Sequence, residues 1–305
     1  MSEKAQLVVE GKKLAVSNLN KVLYPKAGFT KGQVIDYYIR IAPVLLLHLR
    51  DRPLTMKRYP NGVDKEFFYE KNCPVHRPKW VRTAKVWSEG NNRMMDYCLA
   101  QDLPTLVWAA NLADLELHTS LARKIDVARP TMMVFDLDPG APADIVQCCQ
   151  VGLWLRDLLG EMKLKSFAKT SGSKGLQVYV PLNTPATFDQ TKALSRALAE
   201  HLEREHVDLV VSKMLKALRK GKVLVDWSQN DEHKTTVCVY SLRAKEEPTV
   251  STPVKWDEVE TCLKKKKADL LKFRCEKTLK RVEKMGDLFA AIEKLKQKLP
   301  KKWEL

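Results

Sequence analysis

Apolar residues recur along this chain in two rhythms. Over about 30–49, Tyr37, Tyr38, Ile41 and Leu45 follow one another at helical spacing behind Thr30, a side chain suited to accept hydrogen bonds from the free N–H groups of a first turn. That pattern predicts a helix. A second apolar segment at about 104–116 predicts another helix, buried. Beyond 130 the segments become short and rich in Val and aromatics: 132–139, 176–182, 222–228 and 236–242 each predict a β-strand. Between them, about 142–160 and 187–206 show amphipathic spacing, the latter with Leu194, Leu198 and Leu202 on one stripe, so both helices should cover a face of the sheet. The last 50 residues read as helices. The expected fold class is α/β, with a mostly antiparallel central sheet flanked by helices. No repeat or Gly/Ser linker divides the chain, so residues 1–305 read as one domain with parts 1–130, 131–253 and a basic 254–305.

Charge adds a statement about partners. Lys and Arg number 53 against 37 Asp and Glu, a net of +16, which makes nucleic acid or an anionic membrane the first candidates. Residues 254–305 hold 16 of the basic residues against nine acidic ones, and the run Lys264–Lys267 there reads as a solvated helix face. The clusters Lys57-Arg58, Arg123-Lys124 and Lys216 to Lys222 lie beside strand-like segments and read instead as the lining of a groove. No apolar run approaches the roughly 18 residues of a spanning helix, and MSEKAQLVVEGKK lacks the apolar core of a signal peptide, so the expectation is a cytoplasmic protein without membrane contact. Seven scattered cysteines, two of them adjacent (Cys148-Cys149), argue for reduced thiols.

The strongest chemical signal is VFDLDPG at 134–140. Alternation places Asp136 and Asp138 on one face of a strand, and two close carboxylates favour a cation between them; hard oxygen ligands suit Mg²⁺ or Mn²⁺. The plainer alternative is an exposed strand end whose carboxylates cap the next helix. The segment KVLVDW at 222–227 delivers Asp226 in the same setting, and three strand-borne carboxylates permit a two-metal site. Between them TSGSKGLQ, 170–177, lacks Walker A spacing, yet its glycines let backbone N–H groups converge on an anion, with Ser171 and Lys174 as further donors. Taken alone it is a tight turn. Cys73 and His76 offer two zinc ligands without a second pair, and Trp80, Trp87, Trp108 and Trp154 read as core or interface.

Seven collinear segments carry a resemblance to a known family. NKVLYPKAGFTKGQVIDYY (20–38), MKRYPNGVD (56–64), LELH (115–118), VFDLDPG (134–140), KTSGSKGLQVYVPL (169–182), ALRKGKVLVDWSQN (217–230) and YSLRA (240–244) resemble the polymerase domain of bacterial ligase D proteins, within the archaeo-eukaryotic primase superfamily. The resemblance implies a primase-polymerase core and Asp136, Asp138 and Asp226 as catalytic ligands of two Mn²⁺ or Mg²⁺ ions. It implies nucleotide contacts from Lys57, Ser171, Lys174, Gln177, Arg219 and Arg243, with His118 near the sugar and Phe67 and Phe68 stacking on base or template. Lys21 and Lys31 match lysines that grip a downstream 5′-phosphate, and Arg58 joins them as a DNA contact. The implied activity is extension of primers at DNA gaps or double-strand breaks, in gap filling or end joining, from nucleoside triphosphates and with a preference for ribonucleotides. Ku and a separate DNA ligase are the implied protein partners, and the nucleoid the implied place of work. The family's Gly-rich motif ends in His where this chain has Gln177, which offers a neutral hydrogen bond in place of a titratable one.

Two other readings compete. FDLDP superficially resembles the nucleophile motif of haloacid-dehalogenase-like phosphatases, although here it lies far along the chain and continues Pro-Gly. A non-catalytic DNA-end binder also fits the basic charge. Vanadate-sensitive phosphatase activity without primer extension would mark the first, and DNA binding without nucleotide addition under Mn²⁺ the second.

Overall fold

The computed structural model describes residues 4–300. Six α-helices lie among the described residues: α1 (Lys31–Leu49), α2 (Leu103–Asn111), α3 (Ile145–Glu161), α4 (Phe188–Glu205), α5 (Trp256–Lys265) and α6 (Cys275–Met285). The chain divides into two compact units. The first takes the residues up to Ile125 with Thr235–Val250 and Arg274–Gly286; the second takes Asp126–Lys234, Ser251–Phe273 and the residues from Asp287 on. The expected parts do not coincide with these units: 131–253 contributes to both, and so does 254–305.

The second unit is built on a six-stranded sheet ordered Val210–Val211, Val223–Asp226, Met132–Pro139, Leu176–Pro181, Phe167–Thr170 and Pro253–Val254. Its pairs are antiparallel, with a parallel pair at the Val210–Val211 edge. Along Met132–Pro139, the side chains of Met133, Phe135 and Leu137 enter an apolar core with Leu155, Leu159, Val178, Leu194, Leu198 and Leu202 from α3, α4 and the neighbouring strand. Each such burial contributes roughly 1.5–3 kcal/mol, enough to lock the strand's register and hence the opposite face, where Asp136 and Asp138 emerge. Both helices start at capping boxes. Asp144 accepts from Val146 N at 2.7 Å and Thr187 from Gln190 N at 3.2 Å, while Gln147 and Gln190 reach back to the cap N–H groups.

The first unit holds a second six-stranded sheet, where the sequence suggested a single central one. Its order is Thr236–Val237, Asp114–Thr119, Leu54–Arg58, Arg93–Leu99 and Arg82–Ser88, with Phe68–Glu70 also paired to Leu54–Arg58. Helix α1 starts at the expected Thr30 cap, which with Gln33 forms a capping box. Its buried Tyr37 and Tyr38 hydroxyls donate to the carbonyls of Tyr240 at 2.7 Å and Leu115 at 2.8 Å, fastening the late segment Thr235–Val250 to this unit.

Local pattern misled in two places. The expected helix 104–116 stops at Asn111; Ala113 takes a left-handed φ of 58°, and the alternation Asp114, Glu116, His118 against Leu115 and Leu117 resumes as a strand. The expected strand 236–242 is broken at Tyr240 (φ 64°), so that Thr236–Val237 pairs with Thr119 and His118 while Leu242–Ala244 forms a separate ribbon with Pro248–Val250. Of the last 50 residues, α5 and α6 bear out the helical reading; Pro253–Val254 just ahead of them is an edge strand, and 301–305 lie outside the described residues.

Candidate functional site

Residues facing each other across paired strands share a side of the sheet. In the second unit Lys169 lies opposite Gln177, Gln177 opposite Asp136, and Asp136 opposite Asp226, so four polar side chains form one row across four strands. Burial, and then the Asp226 charge across the strand, push the Asp136 carboxyl up to about 6, against the pull of a Gln177 hydrogen bond and of Lys169. Asp226 is held by Ser228 N at 2.9 Å, Ser228 Oγ at 2.6 Å and Gln229 Nε2 at 2.8 Å. Asp138 shares their face but is 54% exposed, with Oδ2 3.6 Å from Arg219 Nη1. The expected triad is thus a facing pair plus a third carboxylate turned toward Arg219, and among the described residues no three acidic, His or Cys side chains converge closely enough to hold a metal ion. The donor set nonetheless fits a hard divalent cation. All three candidate ligands are carboxylates, and the facing pair repels in a half-buried setting.

Two glycines set the edges of this site by close approach. A Cβ on Gly140 would lie 1.9 Å from the Arg219 carbonyl oxygen, and one on Gly175 would lie 2.0 Å from that of Leu137. Any side chain there would drive apart the loop carrying Arg219 or the turn carrying Ser171 and Lys174. Ser171 Oγ accepts the N–H groups of Ser173 at 3.2 Å and Gly175 at 3.1 Å, so the hydroxyl closes the turn, whereas Lys174 is exposed at its tip. Gln177 differs from expectation. Its Oε1 accepts from Lys169 Nζ and its amide bonds Asp136, so both ends are engaged within the row rather than free for a phosphate.

The first unit gathers the other expected nucleotide contacts. Glu116 is buried, with His118 Nε2 at 2.9 Å, Arg243 Nε at 3.3 Å, Lys57 Nζ at 3.7 Å, and Ala244 N donating at 3.0 Å. Burial alone would raise this carboxyl; the His118 hydrogen bond and the surrounding positive charges override it and hold the group below the usual carboxylate range. Burial also lowers His118, against the pull of its hydrogen bond to Glu116. Lys57 Nζ sits 4.2 Å from the Phe67 ring centre and 5.4 Å from those of Tyr59 and Tyr69, a cation framed by aromatic faces. Phe67, Phe68 and Tyr69 are 47%, 43% and 55% exposed, far more than apolar packing requires.

Lys21, Lys31 and Arg58 also lie near one another. Lys31 is buried, donates to Ser17 O at 2.7 Å, and is lowered to about 8 by burial and then by the charges of Lys21 and Arg58. Lys21 is exposed and bonds Asn61 Oδ1 at 2.9 Å. Arg58 is occupied inside the unit, donating to Leu112 O at 2.9 Å and Glu70 at 2.5 Å with Phe68 beneath it at 4.9 Å. The Cys73 and His76 pair gains no further metal ligand among the described residues, and Cys73 is a buried free thiol. Sequence reading missed Glu116, Lys169 and Tyr69. Glu116 was discoverable from the alternation of Glu116 with His118; Lys169 carried no local signal.

A family model described as "LigD, primase-polymerase domain" matches residues 30–289. The multifunctional non-homologous end joining protein LigD of Mycolicibacterium smegmatis (strain ATCC 700084 / mc(2)155) is 38% identical over 283 residues, 92% of this chain and 36% of that protein. The bifunctional non-homologous end joining protein LigD of Bacillus subtilis (strain 168) is 33% identical over 252 residues, 82% of this chain and 40% of that one. The chain therefore spans a little over a third of the length of these relatives. A solved structure, the polymerase domain from Mycobacterium tuberculosis ligase D in complex with DNA, superimposes with a TM-score of 0.85 at 38% identity, covering 92% of this chain and 98% of that one. The mixed α/β architecture, the carboxylate row and these matches agree: the chain belongs to the LigD primase-polymerase domain family and is a DNA nucleotidyltransferase.

Proposed function

We propose that this chain extends primer ends at gaps or breaks in DNA, templated by the opposite strand, from nucleoside triphosphates with ribonucleotides preferred. The observation that carries the reading is Asp136 facing Asp226 across paired strands, with Asp138 on the same side. Metal dependence comes with the family, and here Asp136, Asp138 and Asp226 are the residues that would hold two divalent ions, Mn²⁺ or Mg²⁺. When bound, such ions favour the ionised 3′-hydroxyl and neutralise charge on the leaving pyrophosphate. Each unit has its own part in the chemistry. In the second, the Ser171 turn and the Lys174 and Arg219 side chains are donors for phosphate oxygens. In the first, Lys57 and Arg243 exceed the single negative charge of Glu116, leaving a positive surplus for a triphosphate, with His118 beside them, and Phe67 and Phe68 offer faces for a base. Lys21 and Lys31 bind a downstream 5′-phosphate beside Arg58. Capture of the ends and sealing of the nick fall to Ku and a DNA ligase.

The test is extension of a primer on a gapped duplex bearing a 5′-phosphate, with ribo- and deoxynucleotides under Mg²⁺ and Mn²⁺. Template-matched additions, faster with ribonucleotides, are expected. DNA binding without any addition would leave an end-binding scaffold.

A further inference from the structure

A lysine ammonium with no solvent exposure costs several kcal/mol in desolvation unless its donors are met. Lys169 is such a residue: it has 0% exposure, and no role in the chemistry above. Its Nζ donates to Ser251 Oγ at 2.7 Å and to Gln177 Oε1, and lies 5.3 Å from the centre of the Tyr179 ring. Ser251 Oγ in turn donates to the Thr170 carbonyl at 2.9 Å, so that its lone pair faces the ammonium. These bonds have a direction. An ammonium is a donor without acceptor capacity, so it can face just one end of the Gln177 amide, the oxygen; the amide NH₂ is thereby turned along the row to Asp136. Were the amide reversed, its NH₂ would meet the ammonium and its oxygen the carboxylate, two repulsive contacts in a buried setting.

We propose that Lys169, acting through Gln177, is a positioning residue for Asp136: it fixes the Gln177 amide so that the Asp136 carboxylate is held ready for a divalent ion. This rests on the assignment of Asp136 as a metal ligand. The relay has a consequence opposite in sign to simple charge counting. Lys169 is a cation near carboxylates, so its removal by Coulomb's law alone should make the site more attractive to a metal ion. If its work is positioning, removal loosens the ligand and weakens binding, as loss of an outer hydrogen-bond partner does, by about 10- to 100-fold.

The experiment is a titration of the whole chain with Mn²⁺ alone, without DNA or nucleotide, following free Mn²⁺ by electron paramagnetic resonance, with thermal melting as a check of folding. Lys169→Met and Gln177→Met should each weaken Mn²⁺ binding about tenfold or more, and Gln177→His, which keeps one donor and one acceptor, should recover part of the loss. Ser251→Ala removes an acceptor of Lys169 with little change in volume and should weaken binding severalfold even if the larger changes prevent folding. Unchanged or tighter binding in any folded member of the first pair, or in Ser251→Ala, overturns the relay. Failure of the underlying assignment looks different: Asp136→Asn would then bind Mn²⁺ like the parent, or the parent would bind none.

Discussion

In the second unit a buried cation, Lys169, serves a group of carboxylates; in the first a buried carboxylate, Glu116, serves a group of cations. The chemistry is the same with signs reversed. Charges of one sign, gathered without a counter-charge, repel and hold no fixed geometry, and one buried opposite charge supplies hydrogen bonds that orient them. The surplus then tells which ligand each group suits. On the proposed reading, the facing pair Asp136 and Asp226 against one ammonium suits metal ions, whereas Lys57 and Arg243 around one carboxylate suit phosphate. The difference lies in how the counter-charge acts. Glu116 touches its cations directly, while Lys169 works through the neutral Gln177, which keeps positive charge away from the carboxylates that must receive a cation.

The comparison breaks most severely at Asp136. Asp136→Asn should lower nucleotide addition by about a thousandfold or more, since several kcal/mol of charge stabilisation rest on the metal ligands, while affinity for gapped DNA stays within about threefold. Single-turnover extension and fluorescence anisotropy read the two quantities. Glu116→Gln comes next. Removing a negative charge beside a phosphate site would tighten triphosphate binding if charge alone mattered; because Glu116 orients Lys57, His118 and Arg243, binding should weaken by about 2 kcal/mol, roughly thirtyfold, in a nucleotide titration.

Lys31 sharpens the comparison through pH. Its ammonium is lowered to about 8 by burial and by Lys21 and Arg58, so the charged, phosphate-binding form prevails below that value and is lost as pH rises through it. The preference for a 5′-phosphate over a 5′-hydroxyl should therefore fall by up to about tenfold per unit between pH 8 and 9.5, and Lys31→Arg should flatten the profile. The smallest effect belongs to Lys21, exposed and bonded to Asn61. Lys21→Ala should cost less than tenfold at low salt and reduce the log–log salt slope by about 0.9, one phosphate contact.

Much of this was legible in the residues. Thr30 announced α1, the leucine stripe announced α4, and Asp136 and Asp138, two apart on an apolar strand, announced a shared face. These signals are local, set by periods of 3.6 and 2. What stayed hidden depends on register between distant segments. Lys169 meets Ser251 across 82 positions, and Arg243 meets Glu116 across 127, so no window of sequence contains either pair. Gln177 illustrates the boundary. Alternation placed it on the right face, but the direction of its amide follows from Lys169, and a side chain expected to reach phosphate is engaged in the row. The helix expected through 116 failed for a related reason: Asp114, Glu116 and His118 alternate with leucines, and pairing with Leu54–Arg58 decided for a strand.

One calorimetric comparison tests the central claim that the two buried counter-charges, Lys169 and Glu116, serve different ligands. The parent, Asp136→Asn and Glu116→Gln are each titrated with Mn²⁺ in the absence of nucleotide, and with a nucleoside triphosphate in the presence of EDTA. The account predicts a double dissociation: Asp136→Asn loses Mn²⁺ and keeps the triphosphate, and Glu116→Gln keeps Mn²⁺ and loses most of its triphosphate affinity. If either substitution abolishes both kinds of binding in a folded protein, or if Asp136→Asn retains Mn²⁺, the division of ligands between the two buried counter-charges is wrong.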